Sequence, residues 1–161
     1  MREEVSEIIR KHQLWLDGAK GGERANFTGA DLTEVDFSGI PLRKAVFTRA
    51  DLSWADLSGT DLYGADLRGA DLFHVTGCFA DFFRADLYSA QLMGASLFNA
   101  TFHMANLSCA DLTGADLSGA YLFNTDLTGA NLTGADLTRA NLNQAKLDGA
   151  TLKGARFKKE K

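Results

Sequence analysis

Only two cysteines and one proline occur in the 161 residues. Two cysteines cannot build a disulfide framework, and reduced thiols are expected. One proline beside sixteen glycines excludes a collagen-like or proline-rich chain. Positive charge is also in deficit. The net charge of −4 argues against a general nucleic-acid binder, so no direct nucleic-acid contact is expected. No apolar run approaches the ~20 residues of a membrane helix. The start, Met-Arg-Glu-Glu-Val-Ser-Glu, lacks the apolar core of a signal peptide. A soluble, cytoplasmic protein without a membrane partner is the expectation.

What the chain has instead is a repeat. From Ala25 to Lys159 it runs in 27 consecutive blocks of five residues, without insertion or deletion. They read ANFTG, ADLTE, VDFSG and so on to ARFKK. The central residue is Leu or Phe in every block but one, the exception being Gly77. Phe takes the centre at 27, 37, 47, 82, 102 and 157. The first residue is Ala in 22 blocks, replaced by Val35, Ile40, Thr60, Val75 and Thr125 in the others. A period of five suits neither a helix at 3.6 nor a strand at 2.0. Five helical residues turn the chain by about 500°, which smears the central residues around the axis. Only a chain with a corner in each block keeps every Leu and every Ala on one side. The pattern predicts a solenoid.

Tandem A(D/N)LXX blocks of this kind resemble the pentapeptide-repeat proteins, over residues 25–159. The resemblance implies an all-β solenoid: a right-handed quadrilateral β-helix with four blocks per coil. The central residue and the first residue would then point inward. The 27 blocks make about seven coils, a rod about 32 Å long at the ~4.8 Å spacing of β-ladders. The residues agree with this picture. A buried Leu or Phe contributes about 1.5–3 kcal/mol, and Ala fits where the interior is narrow. Gly ends 12 blocks, where a corner calls for unusual φ values. Ser and Thr crowd the place before it, and Asp or Asn before the Leu can bond nearby backbone.

The organisation follows. Residues 1–24 form an N-terminal helical cap, 25–159 the β-helix, and 160–161 a basic tail. Over residues 2–16, Val5, Ile8, Ile9, His12 and Leu16 make an apolar helical stripe. Glu3, Glu4 and Glu7 stand early and Arg10 and Lys11 late, which suits the helix dipole. Gly18, Gly21 and Gly22 end the helix. A solenoid exposes its core at each end and needs a cap, and Trp15 is placed against the first coil. The segment from His12 to Ala25 also resembles lead-ins of the family. A partner-binding amphipathic helix is the alternative. At the other end Arg156, Lys158, Lys159 and Lys161 discourage open-ended stacking or offer a dock for an acidic partner.

No catalytic constellation is visible. His12, His74 and His103 fall on the cap and on two different sides of the coil. Cys78 and Cys109 stand 31 residues apart, off one face in a 20-residue coil, and match no zinc spacing. There is no GxxxxGK[ST], HExxH or GxSxG. A packed, narrow interior leaves no cleft for a substrate. No enzyme, no cofactor and no metal is therefore expected, and function is placed on the outer surface.

Two surface features stand out. The first is charge. From Ala50 to Leu137 there are 11 acidic and 2 basic residues, whereas 138–161 holds 2 acidic and 7 basic. The resemblance implies one use for an acidic rod: some family members protect DNA gyrase from quinolones by mimicking DNA. This chain lacks the loop insertions and the C-terminal dimerisation helix of those members, and its Asp residues are the repeat consensus itself. The second feature is aromatic. Residues i and i+20 stack in a four-block coil, so Tyr63, Phe83, His103 and Phe123 form a ladder, with Tyr121, Met104 and Arg84 beside it. Trp54 stacks with His74 and Phe73 with Met93 on another side, and Phe79, Tyr88 and Phe98 also face out. Such ladders stabilise a β-surface by about 0.2–1 kcal/mol per pair. Contiguous exposed rings also mark interfaces. The partner-binding surface is accordingly expected at Tyr63, Phe83, His103, Phe123, Tyr121, Trp54 and His74, for another protein or a second copy. Gyrase is the alternative partner. Gly77 leaves a hole of about one Leu. Either Val75 and Phe82 fill it, or the block bulges and Cys78 or Phe79 turns inward, or it is a binding notch.

Overall fold

The structure is a computed structural model that describes residues 3–157. Arg2 and residues 158–161, with the Lys158, Lys159 and Lys161 charges and the proposed tail, lie outside the described residues. One helix, α1 (Glu3–Leu16), precedes a coil that begins at Asn26. Parallel bridges join each residue at the second place of a block to the one 20 residues later, from Asn26↔Val46 to Asp136↔Arg156, with no slip. Four blocks therefore make one turn of the coil, and residues 20 apart lie in adjacent rungs. The contacts are single-residue bridges, because a corner follows too soon for a longer strand.

The hydrogen bonds explain the period. In the first block Phe27 N donates to Val46 O of the next rung, and Gly29 N donates to Thr48 O. Val46 N donates back to Ala25 O, and Ala30 N closes a tight turn onto Phe27 O. Four of the five N–H groups are satisfied by backbone. The fifth, at the fourth place, is taken by a side chain. Every Asp or Asn at the second place, 17 in all, accepts that N–H on Oδ1 at 2.8–3.2 Å. The consensus Asp is thus the local cap of its own corner. The corner itself sits on the fifth residue, which has φ of 51–70° in every described block, whether Gly29 or Trp54. Glycine adopts that left-handed conformation freely, whereas other residues are strained by about 1–2 kcal/mol.

The inward rows are dry. Central residues from Phe27 to Leu137 are buried, as are the Ala residues between them except the half-buried Ala30. Phe27, Phe37 and Phe47 pack together at the start of the coil, with ring centroids 5.0–6.0 Å apart. Thr60 and Thr125 replace the inward Ala, and each hydroxyl donates to a carbonyl, of Phe37 and Phe102. That pairing removes the penalty of a buried hydroxyl.

At Gly77 the ladder runs on without a bulge. Thr76 bridges both Asp56 and Ser96, and Gly77 N donates to Ser96 O at 2.8 Å. Phe79 stays outside and Cys78 turns its thiol to Ser96 O, so neither is swallowed. The space is taken from above and beside: Leu97 Cδ2 comes to 3.1 Å and Phe82 Cε2 to 3.9 Å of where a Gly77 Cβ would sit. The bulge is corrected. Phe82 does fill the gap, together with Leu97, which the sequence had not suggested.

Helix α1 closes the first coil. Val5 and His12 are buried, while Ile8, Ile9 and Leu16 are half-buried. His12 Nδ1 accepts the Ala25 N–H at 3.0 Å, tying the helix to the first block. Its Nε2 faces the Arg43 backbone short of a hydrogen bond. Burial pushes the imidazole below its ordinary value, which favours this neutral, accepting form. Trp15 stacks on His12 at 5.4 Å. The helix runs on to Leu16, so no basic residue occupies its last turn. Arg10 pairs instead with Glu7, one turn earlier, and Lys11 with Glu23. Neither serves the dipole.

Candidate functional site

The fourth side of the coil carries the central residues Leu42, Leu62, Phe82, Phe102, Leu122 and Leu142. The residue after each central one points outward, and here it reads Arg43, Tyr63, Phe83, His103, Phe123 and Asn143. The structure brings the four rings into one column. Tyr63 and Phe83 stack at 5.4 Å and 6°. Phe83 and His103 stand at 5.1 Å, and His103 and Phe123 at 4.9 Å, with growing tilt. Arg43 covers the first ring at 5.6 Å, and Arg84 lies 5.4 Å from the Phe83 centroid. The rings of the column are half-buried by one another, while Tyr121 (54% exposed) and Met104 (41%) project beside it. Above it, Trp15, Leu16, Arg43, Lys44 and Tyr63 line a surface cleft where α1 ends.

The other expected residues gather elsewhere. Trp54 stacks on His74 at 4.5 Å on the second side, and Phe73 sets its edge against both rings. Phe73 thus finds its ring partners there, with Met93 at the same place of the next rung. Phe79 and Phe98 meet edge to face at 5.6 Å on the third side. The surface residues therefore form separate groups, with the column on the fourth side the longest.

One feature escaped the sequence reading. Residues 87–110 hold no charged side chain, more than one full turn of coil in a chain that is 24% charged. Tyr88, Phe98 and Met104 project from this stretch, with Met93 and His103 half-buried. The signal was available: the second place of the block departs from Asp at Gln91, Ser96 and Thr101.

The acidic residues are spread, not gathered. Of the 11 between Ala50 and Leu137, Asp66, Asp86 and Asp126 are on the first side, Asp51, Asp71 and Asp111 on the second, Asp56, Asp116 and Asp136 on the third, and Asp61 and Asp81 on the fourth. Several are held below the usual carboxylate range. The Ser38 hydroxyl and N–H do this for Asp36, the Arg68 guanidinium for Asp66, Thr128 for Asp126 and the Thr138 N–H for Asp136. Arg43–Asp61, Lys146–Asp126 and Arg156–Asp136 pair on the outside. Arg156 is thus already engaged at the C-terminal end.

The sign of the pH dependence follows. Each depressed carboxyl contributes stability that is present above the unfolded value, about 3.9, and is lost as pH falls through the folded one. His12, its pKa lowered by burial, acts in the same direction, and its loss begins at the higher pH of about 6.5. Stability is therefore expected to decline slightly below pH 6.5 and steeply below pH ~4. The variant with Asn at 36, 66, 126 and 136 keeps the corner caps without titrating. Its acid midpoint, followed by circular dichroism, is expected to move down in pH. An unchanged midpoint would show that these carboxylates are not linked to folding.

Among the described residues no group of His, Cys, Asp or Glu is arranged to hold a metal ion, and both cysteines are free thiols. No helix among them is long and apolar enough to cross a membrane.

Comparison with known proteins places the geometry. The model of the pentapeptide repeats matches in 8 copies, over residues 23–49, 45–76, 60–97, 79–114 and 115–154. No curated protein matches the chain. Among solved structures, the plasmid-mediated fluoroquinolone resistance protein QnrB1 is similar with a TM-score of 0.64 at 23% identity, over 83% of this chain and 77% of that one. A pentapeptide repeat protein of the Arabidopsis thaliana thylakoid lumen is 36% identical over 73% of this chain and 71% of that one, with a TM-score of 0.46. HetL, a pentapeptide repeat protein involved in heterocyst differentiation regulation in the cyanobacterium Nostoc sp. strain PCC 7120, is 27% identical over 89% and 91%, with a TM-score of 0.39. The repeat is unbroken across these matches, and the chain belongs to the pentapeptide repeat family.

Proposed function

We propose that this chain is a non-enzymatic scaffold that binds another protein through its outer surface. The observation that carries the reading is the ring column Tyr63–Phe83–His103–Phe123, with Tyr121 and Met104 projecting beside it. Rings are costly to leave at a surface and are enriched at the centres of interfaces. A column longer than one pair exceeds what a corner needs for its own packing. Trp54 and His74 on the second side form a smaller auxiliary surface. The rod winds right-handed through about seven coils, with residues 1–24 as cap and 25–159 as the repeat domain, and works in the cytoplasm.

Affinity capture from a bacterial lysate tests the reading. Wild type is compared with the variant Tyr63→Ser, Phe83→Ser and Phe123→Ser, after circular dichroism shows that both fold. A partner recovered at least tenfold less by the variant is the expected result. Equal recovery by both proteins would remove the column from binding.

A second reading is a DNA mimic acting on gyrase. The net −9 between Ala50 and Leu137 favours it, as does the fold shared with a fluoroquinolone resistance protein. Against it, the acids divide among four sides and each cap spends one oxygen on its own backbone. A gyrase supercoiling assay, with and without quinolone, decides this reading.

A further inference from the structure

The fourth side departs from the repeat beside the ring column. The consensus Asp gives way to Thr101 and Tyr121 in two successive rungs. Where Asp or Asn holds that place, its oxygen accepts the N–H two residues on, as Asp81 does for Phe83 at 2.9 Å. Thr76 and Ser96 leave a like pair, the Cys78 and Phe98 N–H groups, uncapped on the third side, away from the ring column. The His103 and Phe123 N–H groups have no such cap and no other acceptor among the described residues. They point outward, since that is where a capping side chain receives the same N–H in other blocks. The two donors lie in adjacent rungs, about 4.8 Å apart by the spacing of β-ladders.

The surroundings favour an anion. Tyr63 and Phe83 cover each other's faces and present their edges, which carry the positive side of the aromatic quadrupole, while His103 and Phe123 meet at 56°. Arg84 occupies the corner one rung from Met104, and Lys44 lies two rungs further back. In the rungs of Thr101, Tyr121 and Asn141 this side carries no carboxylate; Asp81, one rung before Thr101, spends an oxygen on the Phe83 N–H. The second side, by contrast, carries Asp31, Asp51 and Asp71 in three successive rungs.

We propose that the uncapped N–H groups of His103 and Phe123 receive a carboxylate from an acidic polypeptide segment, at the place where other blocks use their own Asp. The inference rests on the docking reading above and names the partner's chemistry. A carboxylate there makes charge-assisted bonds to backbone N–H groups that have no protein acceptor among the described residues. An apolar neighbour in the same segment lies on Tyr121 and Met104. Polypeptide is favoured over nucleic acid because the acids on the other sides repel a polyphosphate.

The test is an amide chemical-shift titration of the ¹⁵N-labelled full chain. The probe is the blocked peptide Glu-Leu-Asp-Phe-Glu-Leu-Asp. Its neutral counterpart is Gln-Leu-Asn-Phe-Gln-Leu-Asn, and oligothymidylate is the third arm. The acidic peptide is expected to shift the His103 and Phe123 amides, and the neutral one to bind at least tenfold more weakly. Thr101→Asn restores an internal cap without adding charge, and is expected to weaken the acidic peptide at least tenfold. Thr101→Val leaves the N–H open, and is expected to keep the affinity within about twofold. Equal binding of both peptides, or full affinity in Thr101→Asn, overturns the carboxylate site. So does oligothymidylate moving these amides where the acidic peptide does not, or no shift with any probe at millimolar concentration. The docking reading fails separately, when the serine variant still captures every partner of the wild type.

Discussion

Gly22→Ala is expected to detach the N-terminal cap. A Cβ built on Gly22 would lie 2.3 Å from Trp15 N, 2.5 Å from Trp15 Cα and 2.6 Å from Leu14 C. These are backbone atoms of α1, so no side-chain rotation relieves the clash. Moving the helix away is the remaining response. That motion breaks the Ala25–His12 bond and exposes Val5 and His12. It also opens the end of the coil over Phe27, Phe37 and Phe47. Overpacking against flexible neighbours costs about 1–3 kcal/mol, and a rigid backbone pushes the cost to about 3 kcal/mol or more. The matched control is Gly29→Ala. Gly29 has φ 65° with nothing within 4 Å of its Cβ position, so its cost is the left-handed strain alone, about 1–2 kcal/mol. Urea unfolding gives the stability difference. The Ala25 amide, read by hydrogen exchange, reports the cap directly. Its protection should fall sharply in Gly22→Ala and stay at the wild-type level in Gly29→Ala. Equal losses in both would mean that the close approach to α1 is not what Gly22 is for.

Much of this architecture is legible because the interactions are local and repeated. A centre, a small first residue, a capping Asp and a corner recur every five residues, and each satisfies a requirement inside its own block or 20 residues away. The ring column is legible for the same reason, since its members fall at one place in the period. What escapes the sequence depends on reach. That Leu97 covers Gly77 is decided by how far a side chain in the next rung extends, which no pattern within the Gly77 block displays. His12 is visible as a member of an apolar stripe, but its acceptance of the Ala25 N–H depends on where the helix lands. The contact of Phe73 with Trp54 and His74 depends likewise on a ring leaning sideways across the corner, which the 20-residue register does not display. The uncapped N–H groups could have been found. They require asking what the Asp does before asking where it is missing.

Phe82→Ala is expected to be the most damaging substitution in the middle of the rod. Phe82 is fully buried and stacks on Phe102 at 4.7 Å and 3°. Truncating a buried Phe costs about 3–5 kcal/mol through lost transfer energy and the cavity left behind. Here the cavity is enlarged by what Gly77 already lacks. Leu97 Cδ2 already stands 3.1 Å from the Gly77 Cβ position, so it cannot also close the space left by Phe82. The cost should therefore reach the upper end, about 5 kcal/mol, and exceed that of Phe47→Ala, where the neighbouring blocks keep the full centres Leu42 and Leu52. Gly77→Leu separates this from a generic large-to-small effect. In the wild type the new side chain collides with Leu97 and Phe82, and should destabilise by about 1–3 kcal/mol. In the Phe82→Ala background the same side chain enters the void and should restore part of the loss. The substitution thus changes sign between backgrounds, with a coupling of about 1–3 kcal/mol between residues in contact. Urea unfolding of the four proteins closes the cycle. If Gly77→Leu destabilises both backgrounds equally, Phe82 is not what fills the gap, and the tolerance of the coil for a missing centre lies in Leu97 alone.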